Sequence, residues 1–371
     1  MFRNSIIERF NDPEGDITPL RQKTDNRITS SGTNVTLQFI PITIPVCLKL
    51  FSEYRIEKFN PVSLIPSPSA GPERKRRSFS ISPGLDIFLL NERAILTFNE
   101  KYEWHANEFY NEPPFPWLPP TPQGKVEKKS WSPHIGIRVN ITDKVILKGN
   151  VGRYYRLPTF LELFGNLGSV TGSSELEPEE GTNRDIGIVI KSEKLSFLHN
   201  LFLEAVLLHN SAKNLILFFP NSQYTSKPTN IGEAEIKGIE FSLGTSLPEG
   251  IKLTGNYTFL DSKDTGPIPY YNGKILAGRP EHEAFVSIAL PLGAVSLKYE
   301  LHYIGPNYID RANMKQVPER KIHNISVAIG STDKWGKFNL EMKNITDNQI
   351  SDINAFPLPG RSVYATLTIS M

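Results

Sequence analysis

The sequence predicts an all-β protein, an antiparallel up-and-down β-barrel that crosses a membrane. Three observations predict it: apolar and polar residues alternate with a period of two, short and long connections alternate along the chain, and no stretch has the length and apolarity of a membrane helix. A membrane helix needs roughly 20 apolar residues in succession, whereas a barrel strand needs only about ten residues that alternate. The 39% of hydrophobic residues is compatible with such a wall, because residues that face a watery lumen dilute the signal.

The alternation is clearest at the end of the chain. After Arg361 the apolar residues Val363, Ala365, Leu367, Ile369 and Met371 alternate with residues that carry hydroxyl groups. The same pattern gives one face to Val295, Leu297, Tyr299, Leu301 and Tyr303, to Leu253, Tyr257 and Phe259, to Phe338, Leu340 and Met342, and to Ile135, Ile137, Val139 and Ile141. The opposite face carries charges, among them Arg138, Lys298, Glu300, Glu341 and Lys343, which we predict to line the lumen. A soluble sandwich alternates as well, so periodicity alone leaves both classes open.

The lengths of the connections separate the two classes. Short connections are predicted near residues 90–93, 140–144, 193–197, 247–250, 291–293 and 331–336. Long ones are predicted at 56–77, 107–129, 155–181, 219–231, 261–281, 305–320 and 347–360. In an up-and-down wall every second connection lies on the same side, so one side carries tight turns and the other large loops. Greek-key sandwiches mix their connections, and the sorting therefore favours the membrane barrel, with its long connections on the outer side.

No set of residues predicts catalysis or metal binding. The seven histidines have no metal-ligand spacing, and neither a Ser, His and Asp order nor a phosphate-cradling glycine loop occurs in a plausible setting. We therefore expect no enzyme, no cofactor and no catalytic or metal-binding residue. The net charge of +2 gives no reason to expect a nucleic acid as partner. The single cysteine, Cys47, excludes an internal disulfide.

A series of short motifs in the second half and middle of the chain resembles one known family. The motifs are Trp-Ser-Pro at 131–133, Gly-Arg-Tyr-Tyr-Arg-Leu-Pro at 152–158, Glu-Leu-Phe-Gly at 162–165, Leu-Glu-Pro-Glu at 176–179, Asn-Ile-Gly-Glu-Ala-Glu-Ile-Lys-Gly-Ile-Glu at 230–240, Leu-Ala-Gly-Arg-Pro-Glu-His at 276–282, Asn-Ile-Thr-Asp at 344–347 and Phe-Pro-Leu-Pro-Gly-Arg at 356–361. In this order and spacing they resemble the TonB-dependent receptors of the Gram-negative outer membrane. The resemblance covers residues 82–371.

The resemblance implies a function and partners. Members of the family take up a scarce ligand by energised transport, such as a ferric siderophore, haem, cobalamin or a glycan. The implied location is the outer membrane, with its lipid and lipopolysaccharide as partners, and the TonB system would be a partner only where a plug and an N-terminal contact segment are present. A passive outer-membrane pore or a structural or adhesive barrel is the alternative. The ligand-binding residues stay unassigned.

The resemblance also predicts a domain organisation. Residues 1–33 are polar and are expected to be irregular, and residues 34–371 are expected to form the C-terminal part of the barrel, with about fourteen strands of a 22-stranded wall. The first residues have no apolar signal core and no plug-like sequence. We therefore expect a truncated chain that lacks the plug and does not transport.

Two segments on long connections are candidates for outer contacts. Residues 73–77, Glu-Arg-Lys-Arg-Arg, are expected on a loop within reach of lipopolysaccharide phosphates, or as an ordinary solvated loop base. Residues 107–122 are rich in aromatic residues and prolines, which suits either stacking on a ligand or stiffening of the loop.

Overall fold

The computed structural model describes residues 2–12, 14, 21–65, 69–71, 73–111, 121–166, 170–220, 225–331, 336–349, 351–353, 356–357 and 359–369. Within them the elements are almost all β-strands, apart from one α-helix of five residues and one 3-10 turn. No helix in this described part of the chain is long and apolar enough to cross a membrane.

The strands follow one another with few interruptions. The first half contains β1 (Phe2–Asp12), β2 (Gln22–Phe39), β3 (Val46–Asn60), β4 (Val62–Ile65), β5 (Ser69–Ala70), β6 (Arg74–Leu89), β7 (Ala94–Asn111), β8 (Thr121–Asn140), β9 (Val145–Arg156), the helix α1 (Phe160–Phe164) and β10 (Glu179–Leu195). The second half contains β11 (Leu198–Lys213), β12 (Ile216–Pro220), β13 (Ser226–Asn230), β14 (Glu233–Ser246), the 3-10 turn Pro248–Gly250, β15 (Lys252–Asp264), β16 (His282–Leu292), β17 (Val295–Ile304), β18 (Asn307–Tyr308), β19 (Gln316–Val317), β20 (Arg320–Ser331), β21 (Gly336–Lys343), β22 (Ser351–Ile353), β23 (Phe356–Pro357) and β24 (Ser362–Thr368).

The chain forms two compact units. The first comprises Met1–Ile137, Asn150–Asn183 and Ser211–Glu233, and the second comprises Arg138–Gly149, Arg184–Asn210 and Ala234–Met371. In the first unit antiparallel ladders join β1 to β2, β2 to β3, β3 to β6 and β6 to β7. In the second unit they join β14, β15, β16, β17, β20, β21 and β24 in sequence. Within each unit, successive long strands are therefore neighbours, as an up-and-down topology requires.

The predicted tight turns near 90–93, 140–144, 193–197, 247–250 and 291–293 occur where the sequence places them, whereas residues 332–335 of the sixth lie outside the described residues. The turn between β6 and β7 contains Leu90, Asn91 and Glu92, all with positive φ, and the turn between β16 and β17 contains Gly293 at φ 66°. The strands extend further into the long connections than predicted, since β7 reaches Asn111 and β8 begins at Thr121. In the extension of β7, Asn107 lies opposite Arg76 and Glu108 opposite Lys75, so the polar composition of these residues does not end the ladder.

The expectation of irregular structure in residues 1–33 is wrong. Strand β1 pairs with β2 residue by residue, from Phe2 opposite Gly32 to Asp12 opposite Gln22. Pro41 and Pro45 do not interrupt a strand, because they lie in the turn between β2 and β3, where no ladder needs their missing N–H groups. The described residues contain sixteen strands of seven or more residues instead of about fourteen.

The register gives each unit a polar and an apolar face, which are the names used below. In the second unit Leu297 lies opposite Val327, Val327 opposite Leu340, and Leu340 opposite Ala365, so one apolar row crosses four strands. Because side chains alternate along a strand, Leu301 and Leu367 share this face. Leu340 and Leu367 on this face are exposed, at 42% and 66%, and Leu297 and Leu301 are partly exposed. An exposed apolar surface of this extent indicates a lipid or protein contact.

Candidate ligand-contact site

In the first unit the connection between β9 and β10, residues 157–178, carries the helix α1. Thr159 caps this helix, because its Oγ1 accepts a hydrogen bond from the Glu162 N–H at 3.2 Å. The Glu162 carboxylate accepts the Thr159 N–H at 2.7 Å in return. This reciprocal capping box satisfies the first backbone donors of a helix that is too short to be stable alone. The connection therefore has a defined shape.

An aromatic stack fixes the helix against β3 and β6. The Phe59 ring, 1% exposed, stacks on Phe160 with centroids 5.6 Å apart and on Phe164 with centroids 6.2 Å apart. The Arg76 guanidinium lies 4.9 Å from the Phe160 centroid, and that of Arg74 lies 5.1 Å from the Phe164 centroid. Both contacts have the geometry of cation–π interactions. The helix is thus held on the polar face by the Phe59 ring of β3 and by the Arg74 and Arg76 guanidinium groups of β6.

An ion cluster ties both ends of the connection together. Arg156 donates to Glu162 at 2.9 and 3.1 Å and to Glu179 at 2.7 Å from each of two nitrogens. Glu179 also accepts the Ile216 N–H at 2.7 Å, which joins β12 to the cluster. Burial disfavours the charged form of Glu162, but the hydrogen bonds from Arg156 and Thr159 outweigh it and hold the pKa of this carboxyl below its usual range.

The chemistry of the cluster is that of an anchor. Both buried carboxylates accept several hydrogen bonds, and Arg156 uses both edges of its guanidinium. A catalytic base or nucleophile would need a free lone pair directed at a substrate, which these paired carboxylates do not offer. The cluster therefore positions the connection.

The expectation that the basic run at 73–77 lies on a loop is wrong, while its contact with lipopolysaccharide phosphates stays a prediction. Residues Arg74–Arg77 open strand β6. Arg76, 7% exposed, donates to the Asn107 Oδ1 at 2.7 Å and to the Pro158 carbonyl at 2.6 Å. Arg77 pairs with Glu108 at 3.1 Å. Arg74 and Arg76 are in phase with Ser78 and Ser80, whereas Phe79 and Ile81 take the alternate positions, and this alternation is the sequence signal that places Arg74 and Arg76 on the polar face.

In the second unit the connections 265–281 and 305–319 are fastened to each other. Arg311 donates to the Asp264 carboxylate at 2.7 Å, and its guanidinium lies 4.3 Å from the Tyr271 centroid. Asn313 donates to the Ile275 carbonyl and accepts the Ile275 N–H, each at 2.8 Å. We call these five residues the clasp. None of them stands out in the sequence, because the pairs are 38 to 47 residues apart.

The apolar face of the second unit ends at a charged border. Lys237 lies opposite Asp261 and Glu235 opposite Lys263, so that opposite charges alternate along and across β14 and β15. Below this border, the face of β17 is apolar from Val295 to Tyr303, a length of about 26 Å at 3.3 Å per residue. The apolar band of an outer-membrane barrel is about 25 Å tall. The dimensions therefore fit a membrane-facing surface.

The remaining predicted residues are distributed as follows. Lys298 lies opposite Ser326, and Ser326 opposite Glu341, which confirms that these predicted lumen charges share the polar face. Glu300 pairs with Lys298, and Lys343 with Glu341. Within the aromatic and proline-rich segment 107–122, residues 112–120 lie outside the described residues. Among the residues that the structure describes, no three His, Cys, Asp or Glu side chains are grouped to hold a metal.

Comparison with known proteins identifies relatives in sequence. The vitamin B12 transporter BtuB of Photobacterium profundum is 28% identical over 238 residues, which are 62% of this chain and 36% of that protein. The iron-regulated outer membrane virulence protein of Vibrio cholerae is 26% identical over 172 residues, 42% of this chain and 26% of that protein. The first of these relatives is thus named as a transporter and the second as an outer-membrane protein.

Solved structures share the fold at low identity. The copper transporter OprC superposes with a TM-score of 0.77 at 16% identity, over 100% of this chain and 61% of OprC. The siderophore receptor PiuA from Acinetobacter baumannii superposes with a TM-score of 0.74 at 16% identity, over 99% of this chain and 60% of PiuA. The chain thus spans about a third of the BtuB relative and three fifths of these structures.

The predicted fold class and the predicted resemblance are both confirmed. A family model described as TonB dependent receptor-like, beta-barrel, matches residues 10–345. This match covers the end of β1 and all of β2 to β21, including the capped helix α1, strand β6 and the clasp. The chain therefore belongs to the family of TonB-dependent receptors, within the β-barrel part of that family.

Proposed function

We propose that this chain forms the wall and outer connections of an outer-membrane receptor that takes up a scarce small molecule by TonB-energised transport. The observation that carries the proposal is the apolar face with its charged border, joined to the family match over residues 10–345. The apolar face contacts lipid, and the polar face lines the path of the ligand. The anchored connections on the outer side make the first contact with it.

The proposed location is the outer membrane of a Gram-negative cell. The border of alternating charges beside Glu235 and Lys263 meets the headgroup region, where lipopolysaccharide and water compete for the same hydrogen bonds. Exposed ion pairs contribute little to stability, so these side chains exchange partners at small cost. Lipid and lipopolysaccharide are accordingly the proposed partners of this surface.

The proposed ligand is a ferric siderophore, haem, cobalamin or a glycan. The relatives carry the names of a vitamin B12 transporter, an iron-regulated protein and a siderophore receptor, which supports a scarce nutrient as cargo. Energy coupling requires a TonB-contacting segment and a plug, which are proposed to act together with this wall. Binding uses the outer connections, whose shape is fixed by the ion cluster and the clasp.

Uptake assays in the native host test this function. Strains with and without the gene, each with functional or deleted TonB, are supplied with radiolabelled ferric siderophores, haem and cyanocobalamin, and are grown on glycans as sole carbon source. We expect one of these ligands to be taken up only where both the gene and TonB are present. Uptake that needs the gene but not TonB would instead identify a passive pore.

A further inference from the structure

The clasp joins two connections that are separate in sequence, and we infer from its geometry that residues 265–281 and 305–319 work as one rigid element, with Arg311 as the residue that positions them. The inference rests on the proposed function in one respect, that these connections contact the ligand. The rigidity itself follows from contacts within the second unit.

The central contact of the clasp is a buried ion pair. The Asp264 side chain is 2% exposed and that of Arg311 is 16% exposed. The second carboxylate oxygen of Asp264 accepts the Gly266 N–H at 2.9 Å. A buried carboxylate whose partner cation is removed would lose the compensation for its desolvation. Separation of the two connections is therefore disfavoured.

Other contacts join the two connections at further points. Asn313 has a positive φ of 58°. Its side-chain amide forms one donated and one accepted hydrogen bond with the Ile275 backbone, as a paired strand residue would. The Gly278 N–H donates to the Tyr308 carbonyl at 2.7 Å. Tyr271 stacks under Arg311. Contacts at several points restrict rotation of one connection against the other, which a single contact would permit.

Each connection is also ordered by itself. In the first, Asp264 N–H donates to the Lys274 carbonyl at 2.9 Å and Lys263 forms a bridge with Ile275. In the second, the Asp310 carboxylate accepts the N–H groups of Met314 and Lys315. Two ordered connections joined at several points move as one body, and they carry the exposed side chains of Ile268, Tyr270 and Met314 at fixed spacing: these are 45%, 60% and 77% exposed. Ligand capture then needs no independent closure of either connection.

Distance measurements between spin labels test the inference without ligand or transport. Nitroxides are placed at Ile268→Cys and Lys315→Cys, which are exposed positions outside the clasp, in the full chain in lipid with Cys47 replaced by alanine. We expect one narrow distance peak. Arg311→Ala should broaden it, and Arg311→Lys should broaden it less, because lysine keeps the charge but loses the planar stack and the guanidinium geometry.

Two further variants serve as a control and as a replacement for Arg311→Ala. Lys321→Ala removes an exposed cation paired with Glu319, and is expected to leave the narrow peak unchanged. Asn313→Gly tolerates the positive φ and removes only the amide contacts, so it replaces Arg311→Ala if that variant does not fold. A broad distribution in the parent chain, or a narrow one in folded Arg311→Ala and Asn313→Gly, would overturn the inference. Either result would leave the proposed transport function untouched.

Discussion

Removal of the Glu162 carboxylate tests whether the ion cluster holds the 157–178 connection. The Glu162 side chain is 7% exposed and accepts hydrogen bonds from Arg156 at 2.9 and 3.1 Å and from the Thr159 N–H at 2.7 Å. Glu162→Ala deletes these bonds and half of the capping box. Glu162→Gln keeps an acceptor oxygen but loses the charge.

The expected loss in free energy of unfolding has two sources. Loss of a helix cap costs about 1 kcal/mol, and loss of hydrogen bonds to a charged group costs about 1.5–3 kcal/mol. The lower end applies, because the Arg156 side chain is 38% exposed and keeps both bonds to Glu179. We expect Glu162→Ala to reduce the free energy of unfolding by about 2–3 kcal/mol and Glu162→Gln by about 1–2 kcal/mol. Arg156→Ala should cost more than either, because it removes the cation that both buried carboxylates share.

Urea titrations of the chain in lipid vesicles, followed by tryptophan fluorescence, measure these values. Lys263→Ala is the matched control, because it removes one member of an exposed ion pair with Asp261. Its expected cost is small, because solvent screens an exposed ion pair. If Glu162→Ala and Lys263→Ala cost the same, the cluster does not anchor the connection.

The pH dependence of this loss in stability tests the role of the Glu162 charge independently. The pKa of Glu162 is depressed in the folded chain, so its contribution is complete above the unfolded value of about 4.3 and is lost as pH falls through the folded pKa. The difference between the parent and Glu162→Gln should therefore shrink as pH is lowered below about 4.3. A difference that grows as pH falls would refute the reasoning.

Three further predictions follow from the faces, the turns and the topology. Leu297→Arg should lower the free energy of unfolding in vesicles by about 2–4 kcal/mol, whereas Thr366→Arg on the polar face should cost much less, and equal costs would mean that the faces are reversed. Gly165→Ala should destabilise more than Gly273→Ala, because both have positive φ but only at Gly165 would a Cβ lie 2.3 Å from a backbone oxygen, that of Val170; equal thermal shifts would contradict this. Cysteines at Tyr270 or Met314 should react with an impermeant maleimide on intact cells and one at Glu249 should not, and labelling at Glu249 would invert the topology.

The faces of the wall could be predicted from the sequence because their signal is local. A period of two within one strand is enough to assign Leu297, Leu301, Leu340 and Leu367 to the same face, and the register confirms this assignment. Tight turns were equally visible, since they interrupt that period.

The pairing of β1 with β2 could not be predicted by the same reasoning. The residues of β1 do not show a sustained period of two, and their hydrogen bonds come from residues 22–32, whose own composition is polar. Tertiary pairing decided the structure there.

The anchored connections depend on contacts that are distant in sequence. Arg76 is buried by Pro158 and Phe160, more than 80 residues later, and Arg311 is buried by Asp264. A basic run is usually solvated, and no local pattern shows that a later segment will cover it. The motifs at 152–158 and 162–165 are visible in the sequence, but only the contacts in the structure show that their residues anchor the connection.

Contact of the apolar face with lipid is the central claim, and a nitroxide scan along β17 tests it most directly. Single cysteines from Val295 to Tyr303, each spin-labelled in vesicles, are measured for collision with oxygen, which concentrates in lipid, and with a water-soluble nickel chelate. We predict that positions 295, 297, 299, 301 and 303 collide with oxygen and that positions 296, 298, 300 and 302 collide with the chelate. Equal exposure of all nine positions to the chelate would contradict the account.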